Sequence, residues 1–458
     1  MRKSMASVTG ALLLLLGGCA VQPPSPVPPS EMCRFVRHDL EVEIPGDSLA
    51  AVNALDAASA QEPSLAGALR AALEPGLQSA GQGNAMLFLS GGSLHGAFGA
   101  GFLDGLAHAP GGLPTFRVVT GVSTGSILAT FAFLGDTRRL VEGYSITSES
   151  QLLTPYIRIR NGRPTARSLI SVMRHGAVAD LEPLRARLRS EFTPAVLWQV
   201  RERHLDGARL FVGAVDVDSG KAVAFDLGDM ASRYFGPAGQ PVADGAPETV
   251  EQARIRDCYV SAVLASSSAP LAAPPVFIDN RMYVDGGARF GMFSDEIGNV
   301  IVDETREIAN VDQRSDVYLI VNGTLRIGQK CGKASPITCP PYGALEGGHA
   351  DWNLLELAGR SEQILVNQVY RFSAGRILER DPANPPHFAR INPDSDAHSY
   401  TMPADAGLGS GTMTCAQWHD EDERLLHPVQ FFPRYMRCLI DYGRQRGLAG
   451  RWDSQPPS

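Results

Sequence analysis

The sequence is poor in positive charge. Its 41 lysines and arginines are outnumbered by 49 aspartates and glutamates, which leaves a net charge of −8 at pH 7. Nucleic-acid binding needs a basic face, so the composition does not favour a nucleic-acid partner. A broad basic surface also cannot draw this chain onto a membrane. The 44% hydrophobic and 20% charged residues are ordinary for a globular protein, and 458 residues suffice for one large domain or two smaller ones.

Long apolar runs are also missing. The run at residues 11–16 is too short to span a bilayer stably, and no second candidate span follows it. Because Arg2 and Lys3 precede this run, the N-terminus has the charge and length of a secretory signal. We therefore predict a signal peptide over residues 1–18.

The residues after the apolar run indicate export and lipidation. Leu16–Cys19 resembles the lipobox of bacterial lipoproteins, in which cleavage leaves Cys19 as the lipid-modified N-terminus. Ala20 is similar to the outer-membrane sorting pattern, and the Pro-rich residues 19–30 are expected to form an extended tether. We therefore expect an exported protein that a lipid anchors to a bacterial outer membrane. A plain secretory signal with an incidental cysteine is the alternative.

Motifs for metal and phosphate binding are absent as well. No Cys-x-x-Cys pair with partner histidines indicates zinc. The glycine-rich turn at residues 91–96 does not follow the order Gly-x-Gly-x-x-Gly, and no Gly-Lys-Ser/Thr comes after it. Residues 216–220 look like the start of a calcium loop, but the twelfth position is Leu227 rather than glutamate, which favours a hairpin turn. We expect neither a metal nor a cofactor.

Apart from Cys19, six cysteines remain, and an even number in an exported chain favours disulfides. Six cysteines allow fifteen pairings, and we expect the pair within one loop, Cys331 with Cys339, first. The others are Cys33, Cys258, Cys415 and Cys438.

Short apolar runs alternate with helical segments along most of the chain. Strands are predicted at residues 85–90, 117–122, 208–217, 221–227, 281–287 and 316–323. Helices are predicted at about 48–77, 351–372 and 431–447, and the small, Pro-rich residues between 264 and 284 are predicted to form a loop. This alternation favours an α/β fold with a mainly parallel sheet.

Ser123 is the first candidate for chemistry. Gly121–Gly125 reads Gly-x-Ser-x-Gly between an apolar strand and an apolar helix, which is the context of a nucleophile elbow. A serine hydroxyl is a weak nucleophile until a nearby group takes its proton, so the motif requires a partner base.

Two further segments place polar or glycine residues at strand ends. Residues 91–96, Gly-Gly-Ser-Leu-His-Gly, follow a buried strand and open a helix, so bare N–H groups and the helix dipole can point at one oxyanion. Asp285 closes a strand just before Gly286 and Gly287, where α/β sheets place their ligands. Taken singly, the first segment is also compatible with a tight structural turn and the second with a hairpin turn.

In this order, the glycine turn, the serine elbow and Asp-Gly-Gly resemble the patatin-like phospholipases. Residues 265–277, rich in alanine and serine, and the hairpin within residues 211–227 are similar to further segments of that family. The resemblance spans about residues 85–290. It implies a three-layer α/β fold in which helices flank a mainly parallel central sheet.

The resemblance also implies domain bounds. A catalytic core at residues 85–325 follows an N-terminal extension at 31–84, and a cysteine loop with C-terminal helices occupies 326–458. No oligomeric state is implied.

The activity that the resemblance implies is a serine acyl hydrolase of the phospholipase A or lysophospholipase type, with a lipid ester as substrate. Ser123 corresponds to the nucleophile and Asp285 to its general base, in a dyad without histidine. The residues that fall on the oxyanion-hole motif are Gly91, Gly92, Ser93, His95 and Gly96.

Two departures from the family pattern leave alternatives open. Ser93 stands where the family has a third glycine, and His95 stands where it has an arginine, so His95 either takes part in catalysis or only caps and packs. A non-catalytic, lipid-binding lipoprotein is therefore one alternative. Residues 168–176 either line an acyl groove or simply pack.

The other alternative is an α/β-hydrolase esterase with a Ser-Asp-His triad. Its chain order requires a histidine after the acid. The available residues are His349, His387, His398, His419 and His427.

Overall fold

A computed structural model describes most of the chain. The described residues are 24–40, 65–77, 84–157, 159–160, 163–164, 171–172, 174–237, 239–294, 314–327, 354–379, 381–391, 396–402 and 412–453. The predicted signal peptide, Cys19, and both Cys331 and Cys339 lie outside these residues.

Helices and strands alternate along the described chain. The helices are α1 (Leu65–Leu77), α2 (Gly96–His108), α3 (Thr124–Leu134), α4 (Thr137–Tyr144), α5 (Glu182–Glu191), α6 (Pro194–Leu205), α7 (Leu227–Phe235), α8 (Val250–Ser267), α9 (Leu354–Leu378), α10 (Cys415–Leu426) and α11 (Pro433–Leu448). The strands are β1 (Arg37–Leu40), β2 (Ala85–Leu89), β3 (Phe116–Val122), β4 (Thr154–Pro155), β5 (Ile159–Arg160), β6 (Arg163–Pro164), β7 (Ala179–Asp180), β8 (Arg209–Asp216), β9 (Ala222–Asp226), β10 (Val276–Ile278), β11 (Arg281–Asp285), β12 (Val317–Val321), β13 (His387–Arg390), β14 (Thr401–Met402) and β15 (Met413–Thr414).

One mixed sheet organises these elements. Its strand order is β1-β9-β8-β3-β2-β12-β13, and β11 pairs with both β10 and β8. The central strands β8, β3, β2, β12 and β13 are parallel, whereas β9, β1, β11 and β10 join antiparallel. The expected α/β fold with a mainly parallel centre is confirmed. Since β2, β3 and β12 are parallel neighbours, the loops that follow them meet at one edge of the sheet.

The sheet is covered on both faces, which explains its continuously apolar strands. Every residue of β2 is buried. On one face, β2 and β3 contribute Leu87 and Val119 to the larger core, which includes residues of α2, α3, α8 and α11. On the other face, Phe88 packs in a second core with residues of α1 and α9. The three layers thus hold the carboxyl ends of the central strands in place.

The predicted elements within the described residues agree with the structure except at one segment. Of the helix predicted at about 48–77, α1 (Leu65–Leu77) is present, and residues 48–64 lie outside the described residues. All six predicted strands are present as β2, β3, β8, β9, β11 and β12, and the two predicted C-terminal helices are α9 and α11. The loop predicted between residues 264 and 284 is confirmed for residues 268–275 and wrong at its ends, because α8 continues to Ser267, β10 occupies Val276–Ile278 and β11 begins at Arg281. The small residues that suggested a loop belong in part to the last turn of α8.

Two disulfides join distant parts of the described chain. Cys33 bonds to Cys258 of α8, and Cys415 of α10 bonds to Cys438 of α11. The N–H of Val27, within the Pro-rich segment, donates to Asn280 Oδ1 at 2.6 Å, so this end of the segment lies on the folded body. In the part of the chain that the structure describes, no helix combines the length and apolarity that a membrane span needs.

Candidate active site

Ser123 stands on a strained turn between β3 and α3. Its φ of 55° and ψ of −127° are rare for a residue with a side chain, and such strain is typical of a nucleophile elbow. The turn is so tight that only glycine fits at two positions. A Cβ on Gly121 would overlap the Gly125 carbonyl, and a Cβ on Gly125 would overlap the Leu89 carbonyl. The glycines of the motif therefore allow the close approach that exposes the serine.

The serine-rich end of α8 holds this turn. Ser266 Oγ accepts a hydrogen bond from the N–H of Ser123 at 2.9 Å, and Ser267 Oγ donates to the carbonyl of Ser123 at 3.1 Å. The next residue, Ser268, accepts the N–H of Asp285 on its carbonyl at 2.9 Å. Three consecutive serines thus connect the nucleophile elbow to the candidate base, which accounts for the Ala-Ser-rich segment seen in the sequence.

Strand register brings Asp285 beside the elbow. Gly213 of β8 pairs with Val122, the residue before Ser123, and the next residue, Ala214, pairs with Asp285 at the end of β11. Asp285 Oδ1 also accepts the N–H of Gly287 at 2.7 Å, which orients the carboxylate. Residues 162 positions apart in sequence thus face each other because both flank β8.

The environment of Asp285 suits a general base. The side chain is buried, and burial raises the pKa of its carboxyl to about 7, although interactions with the Ser123 hydroxyl and the Gly287 N–H lower it. The negative Glu362 adds to the rise in pKa. The Ser123 hydroxyl thus interacts with the Asp285 carboxylate, and contacts of this kind commonly tighten when substrate binds. A base with a pKa near 7 can take and return a proton near neutral pH.

The glycine turn forms a cradle of N–H groups beside Ser123. Gly92 has a φ of 154° and Ser93 a φ of 53°, both in the region that side chains rarely adopt. A Cβ on Gly92 would overlap the backbone of Asn322, just after β12. Among the described residues, the N–H groups of Gly91, Gly92 and Ser93 have no acceptor, so they are available to a substrate oxygen.

His95 packs beneath this turn. Burial, helped by the nearby His398 and His419, lowers its pKa to about 4, so the ring is neutral at ordinary pH. The ring hydrogen-bonds to the backbone of Gly92 and meets Tyr435 edge-on at 6.3 Å between centroids. His95 therefore supports the loop and supplies no positive charge, unlike the arginine at this position in the family pattern. The final oxyanion candidate, Gly96, is the first residue of α2.

A segment between α10 and α11 completes the glycine turn, and sequence reasoning did not find it. Gln430 Nε2 donates to Ser93 Oγ at 2.7 Å. Glu149 fixes the segment by accepting the N–H groups of Val429, Gln430 and Phe431 at 2.9, 2.6 and 2.7 Å. Ser93 and Gln430 lie far apart in sequence, and no local pattern signals such a contact.

Two cavities meet at Ser123. The wider one has a volume of about 780 Å³, and it is lined by the candidate residues Ser123, Asp285, Gly92, Ser93 and His95 together with one face of α9. The narrower one has about 80 Å³ and is largely apolar. Its lining includes Ile127, Leu152, Leu181, Leu184 and Phe431. From the segment 168–176, Val172 and Gly176 line the wider cavity.

The later histidines of the described chain lie away from this pair. His387 stacks on Tyr318, His398 is 3.3 Å from the Tyr435 hydroxyl, and His419 stacks on Phe432. None of these three lines the cavity that holds Ser123, nor does His427. His349 lies outside the described residues.

The family model of the patatin-like phospholipases matches residues 87–293. This match spans the glycine turn, the serine elbow and the Asp-Gly-Gly segment. These residues are therefore similar to a patatin-like phospholipase domain, and we call them the patatin-like domain. The resemblance inferred from the three motifs is confirmed for this part of the chain.

Comparisons with curated proteins and with solved structures add little to the match with the family model. No curated protein matches the chain. A solved structure of VipD from Legionella pneumophila matches with a TM-score of 0.24 and 15% identity, over 46% of this chain and 46% of VipD. The chain thus spans about half the length of that protein, and a likeness of this size supports no argument about activity.

The residues after the patatin-like domain also build the site. Tyr370 and Glu362 of α9 line the wide cavity, and Gln430 hydrogen-bonds to Ser93 of the glycine turn at residues 91–96, which we call the oxyanion turn after its expected role. The matched region therefore contains the candidate nucleophile, the candidate base and the candidate backbone donors, whereas the C-terminal part forms one wall of the cavity and supports the turn.

Proposed function

We propose that this protein is a serine acyl hydrolase that cleaves lipid carboxyl esters through a Ser123–Asp285 dyad. The observation that carries the proposal is the meeting, in one cavity, of a strained serine with a buried aspartate whose pKa is about 7. The unoccupied N–H groups of the glycine turn add the stabilisation of an oxyanion.

The reaction has two halves. Ser123 Oγ attacks the ester carbonyl carbon, its proton passes to Asp285, and the N–H groups at Gly92 and Ser93 hold the negative oxygen of the tetrahedral intermediate. The bond to the alcohol oxygen then breaks, and Asp285 returns the proton to that oxygen. In the second half, water attacks the acyl carbon of the acyl-enzyme while Asp285 accepts a proton from it. The bond between the acyl carbon and Ser123 Oγ then breaks, Asp285 returns the proton to Ser123 Oγ, and the fatty acid leaves.

A dyad is favoured over a triad by the surroundings of Asp285. His387, His398, His419 and His427 lie outside the cavity, and the neutral His95 is tied to Gly92. If no histidine relays the proton, as holds for the described histidines, the base must itself have a pKa near the working pH, and burial gives Asp285 such a pKa.

The two cavities fit the two arms of an ester. The narrow apolar cavity suits the first carbons of the acyl chain, since it offers aliphatic walls and little room. The wide cavity, which includes Arg360, Glu362 and Asn367, suits the alcohol part of a phospholipid or lysophospholipid. We expect hydrolysis of such lipids and of small nitrophenyl esters.

The test is labelling by a fluorophosphonate, which reacts with an activated serine, followed by assays on phospholipids, lysophospholipids and nitrophenyl esters. The folded wild type is expected to be labelled, whereas Ser123→Ala and Asp285→Asn are expected to lose labelling and turnover. An unlabelled wild type would contradict the hydrolase proposal. Full activity in Asp285→Asn would show that another residue is the base. Loss of activity in a single His→Ala variant would favour a triad over the dyad; the positions to test are His349, His387, His398, His419 and His427.

We also propose that the protein is an exported bacterial lipoprotein anchored through Cys19. The basic residues, the short apolar run and the lipobox-like Leu16–Cys19 support this. Radiolabelled palmitate is expected to mark the wild type in the membrane fraction, and Cys19→Ala is expected to remain unlabelled and unprocessed. Equal processing of both forms would indicate an ordinary secretory signal.

A further inference from the structure

Helix α9 carries a tyrosine into the site from outside the patatin-like domain. Tyr370 is almost fully buried, with 6% of its surface exposed, and it lines the wide cavity. Hydrogen bonds fix the helix on either side of it. Asn367, one turn earlier, donates to the carbonyl of Thr324, and Ser373, one turn later, accepts the N–H of Gly291 at 3.1 Å. The position of the ring is therefore set by the fold.

Four glycines make room for this side chain. A Cβ on Gly291 or Gly323 would overlap the ring, a Cβ on Gly91 would overlap the hydroxyl, and a Cβ on Gly287 would lie 3.0 Å from the hydroxyl. These glycines come from three separate segments: Gly91 from the oxyanion turn, Gly287 and Gly291 from the Asp-Gly-Gly segment and the residues after it, and Gly323 from the loop after β12. Their convergence forms a slot that the phenol fills.

The slot points the hydroxyl at the reacting groups. A Cβ on Gly91 would lie 2.0 Å from the hydroxyl and 2.8 Å from Ser123 Cβ, so the hydroxyl and Ser123 Cβ are no more than 4.8 Å apart, the sum of these two distances. A Cβ on Gly287 would lie 3.0 Å from the hydroxyl and 3.1 Å from Asp285 Oδ1, so the hydroxyl also lies near the carboxylate.

Packing alone does not account for a hydroxyl at this position. Within the described residues, the Tyr370 hydroxyl makes no hydrogen bond to the protein, and the side chain lines the wide cavity. A phenylalanine would fill the slot equally well. Burial and the negative Asp285 and Glu362 raise the pKa of the phenol well above its usual value, so the O–H stays intact at any working pH.

We propose that Tyr370 is a catalytic residue whose hydroxyl donates a hydrogen bond to the negatively charged oxygen of the tetrahedral intermediate formed at Ser123. This inference rests on the proposed hydrolase function and adds a side-chain donor to the backbone donors of the glycine turn. A donor that acts only on the charged intermediate lowers the barrier without tightening substrate binding.

The test compares the wild type with Tyr370→Phe, which keeps the ring in the slot and removes only the hydroxyl. We expect kcat to fall about 100-fold, as for loss of one oxyanion donor, with KM unchanged. A trifluoromethyl ketone, which forms a charged adduct with the serine, is expected to bind the variant more weakly by the same factor as kcat/KM falls. The acidic limb of the pH profile is expected to stay in place.

Tyr259→Phe is the matched control, because it removes a buried hydroxyl, 2.9 Å from Thr130 Oγ1, away from the cavity. It is expected to lower the thermal midpoint and leave kcat unchanged. A Tyr370→Phe variant with wild-type kcat, or with only a raised KM, would overturn the inference. If wild type shows no Ser123-dependent turnover, the hydrolase proposal itself fails; active wild type with an equally active Tyr370→Phe rejects only the role of Tyr370.

If Tyr370→Phe does not fold, Tyr370→4-fluorophenylalanine fills the slot up to the position of the hydroxyl but cannot donate a hydrogen bond. Its kcat is expected to fall by the factor expected for Tyr370→Phe. Wild-type kcat in this folded variant would overturn the proposal.

Discussion

At the scale of single residues, burial of one carboxyl controls the chemistry. Asp285 is removed from water at the end of β11, so its ionised form is disfavoured and its pKa lies at about 7. A carboxylate with the ordinary low pKa would be ionised at neutral pH but would be a weak base. With a pKa near 7, a large share of Asp285 is ionised at neutral pH, and the carboxylate is a stronger base. The cost of burying the carboxyl is thus linked to its function.

The pH profile of kcat/KM tests this link. Asp285 must be ionised to accept the serine proton, so activity is expected to rise with pH through about 7. The negative Glu362 opposes this ionisation, so Glu362→Gln is expected to move the acidic limb to lower pH. Glu379→Gln, just after the end of α9, is the control and should leave the limb in place. A limb that does not move in Glu362→Gln would show that Glu362 does not act on the base.

At the scale of elements, the oxyanion turn depends on how closely α2 packs on α11. A Cβ on Gly101 of α2 would overlap the backbone of Ile440, and one on Gly443 of α11 would overlap the backbone of Phe98. Arg444 donates to Asp104 Oδ2 at 2.7 Å beside this crossing. The C-terminal helix therefore supports the helix that begins at the oxyanion turn.

Gly101→Ala is expected to disrupt this crossing. The added methyl group meets backbone rather than a flexible side chain, so we expect a loss of about 1–3 kcal/mol in the free energy of unfolding, measured by urea denaturation. Gly375→Ala on α9 is the matched control, since a Cβ there meets nothing within 4 Å. Its stability is expected to be unchanged or slightly raised, because alanine favours the helix. Equal stability of the two variants would contradict the close crossing.

At the scale of the whole molecule, disulfides join segments that the sheet alone does not connect. Cys33–Cys258 spans 225 residues and ties the N-terminal segment to α8, whereas Cys415–Cys438 spans 23 residues and ties α10 to α11. A cross-link removes freedom from the unfolded chain, and a longer closed loop removes more of it.

Removal of the long-range disulfide is therefore expected to cost more. On loop entropy, Cys33→Ser with Cys258→Ser should lose about 5 kcal/mol, and Cys415→Ser with Cys438→Ser about 3 kcal/mol. Thermal unfolding of the two double variants shows which of them loses more stability. A larger loss in the Cys415→Ser, Cys438→Ser variant would show that local packing outweighs loop length. Fluorophosphonate labelling at low temperature is expected to persist in the first pair, because Cys33 and Cys258 do not line the cavity.

Local sequence patterns were enough to predict the sheet and the resemblance to the patatin-like phospholipases. Strands such as β2 can be predicted from their apolar runs, because a strand that is buried on both faces needs apolar residues throughout. The Gly-x-Ser-x-Gly elbow and Asp285 at the end of its strand can also be recognised from local sequence, since the geometry of each turn determines which residues can flank it. The start of the loop was predicted wrongly at residue 264, because the serines that end α8 are residues typical of loops. Their role is to hydrogen-bond the backbone of Ser123 across the fold.

The sequence by itself therefore determined the layered fold and the two candidate residues, Ser123 and Asp285, because each depends on neighbours a few residues away. Only the tertiary structure decided the pKa of Asp285, the neutral state of His95 and the arrival of Gln430 and Tyr370 at the site. The physical reason is that burial and side-chain contact depend on distance in space. No pattern within a short stretch of sequence encodes which distant segment will fill a slot formed by glycines.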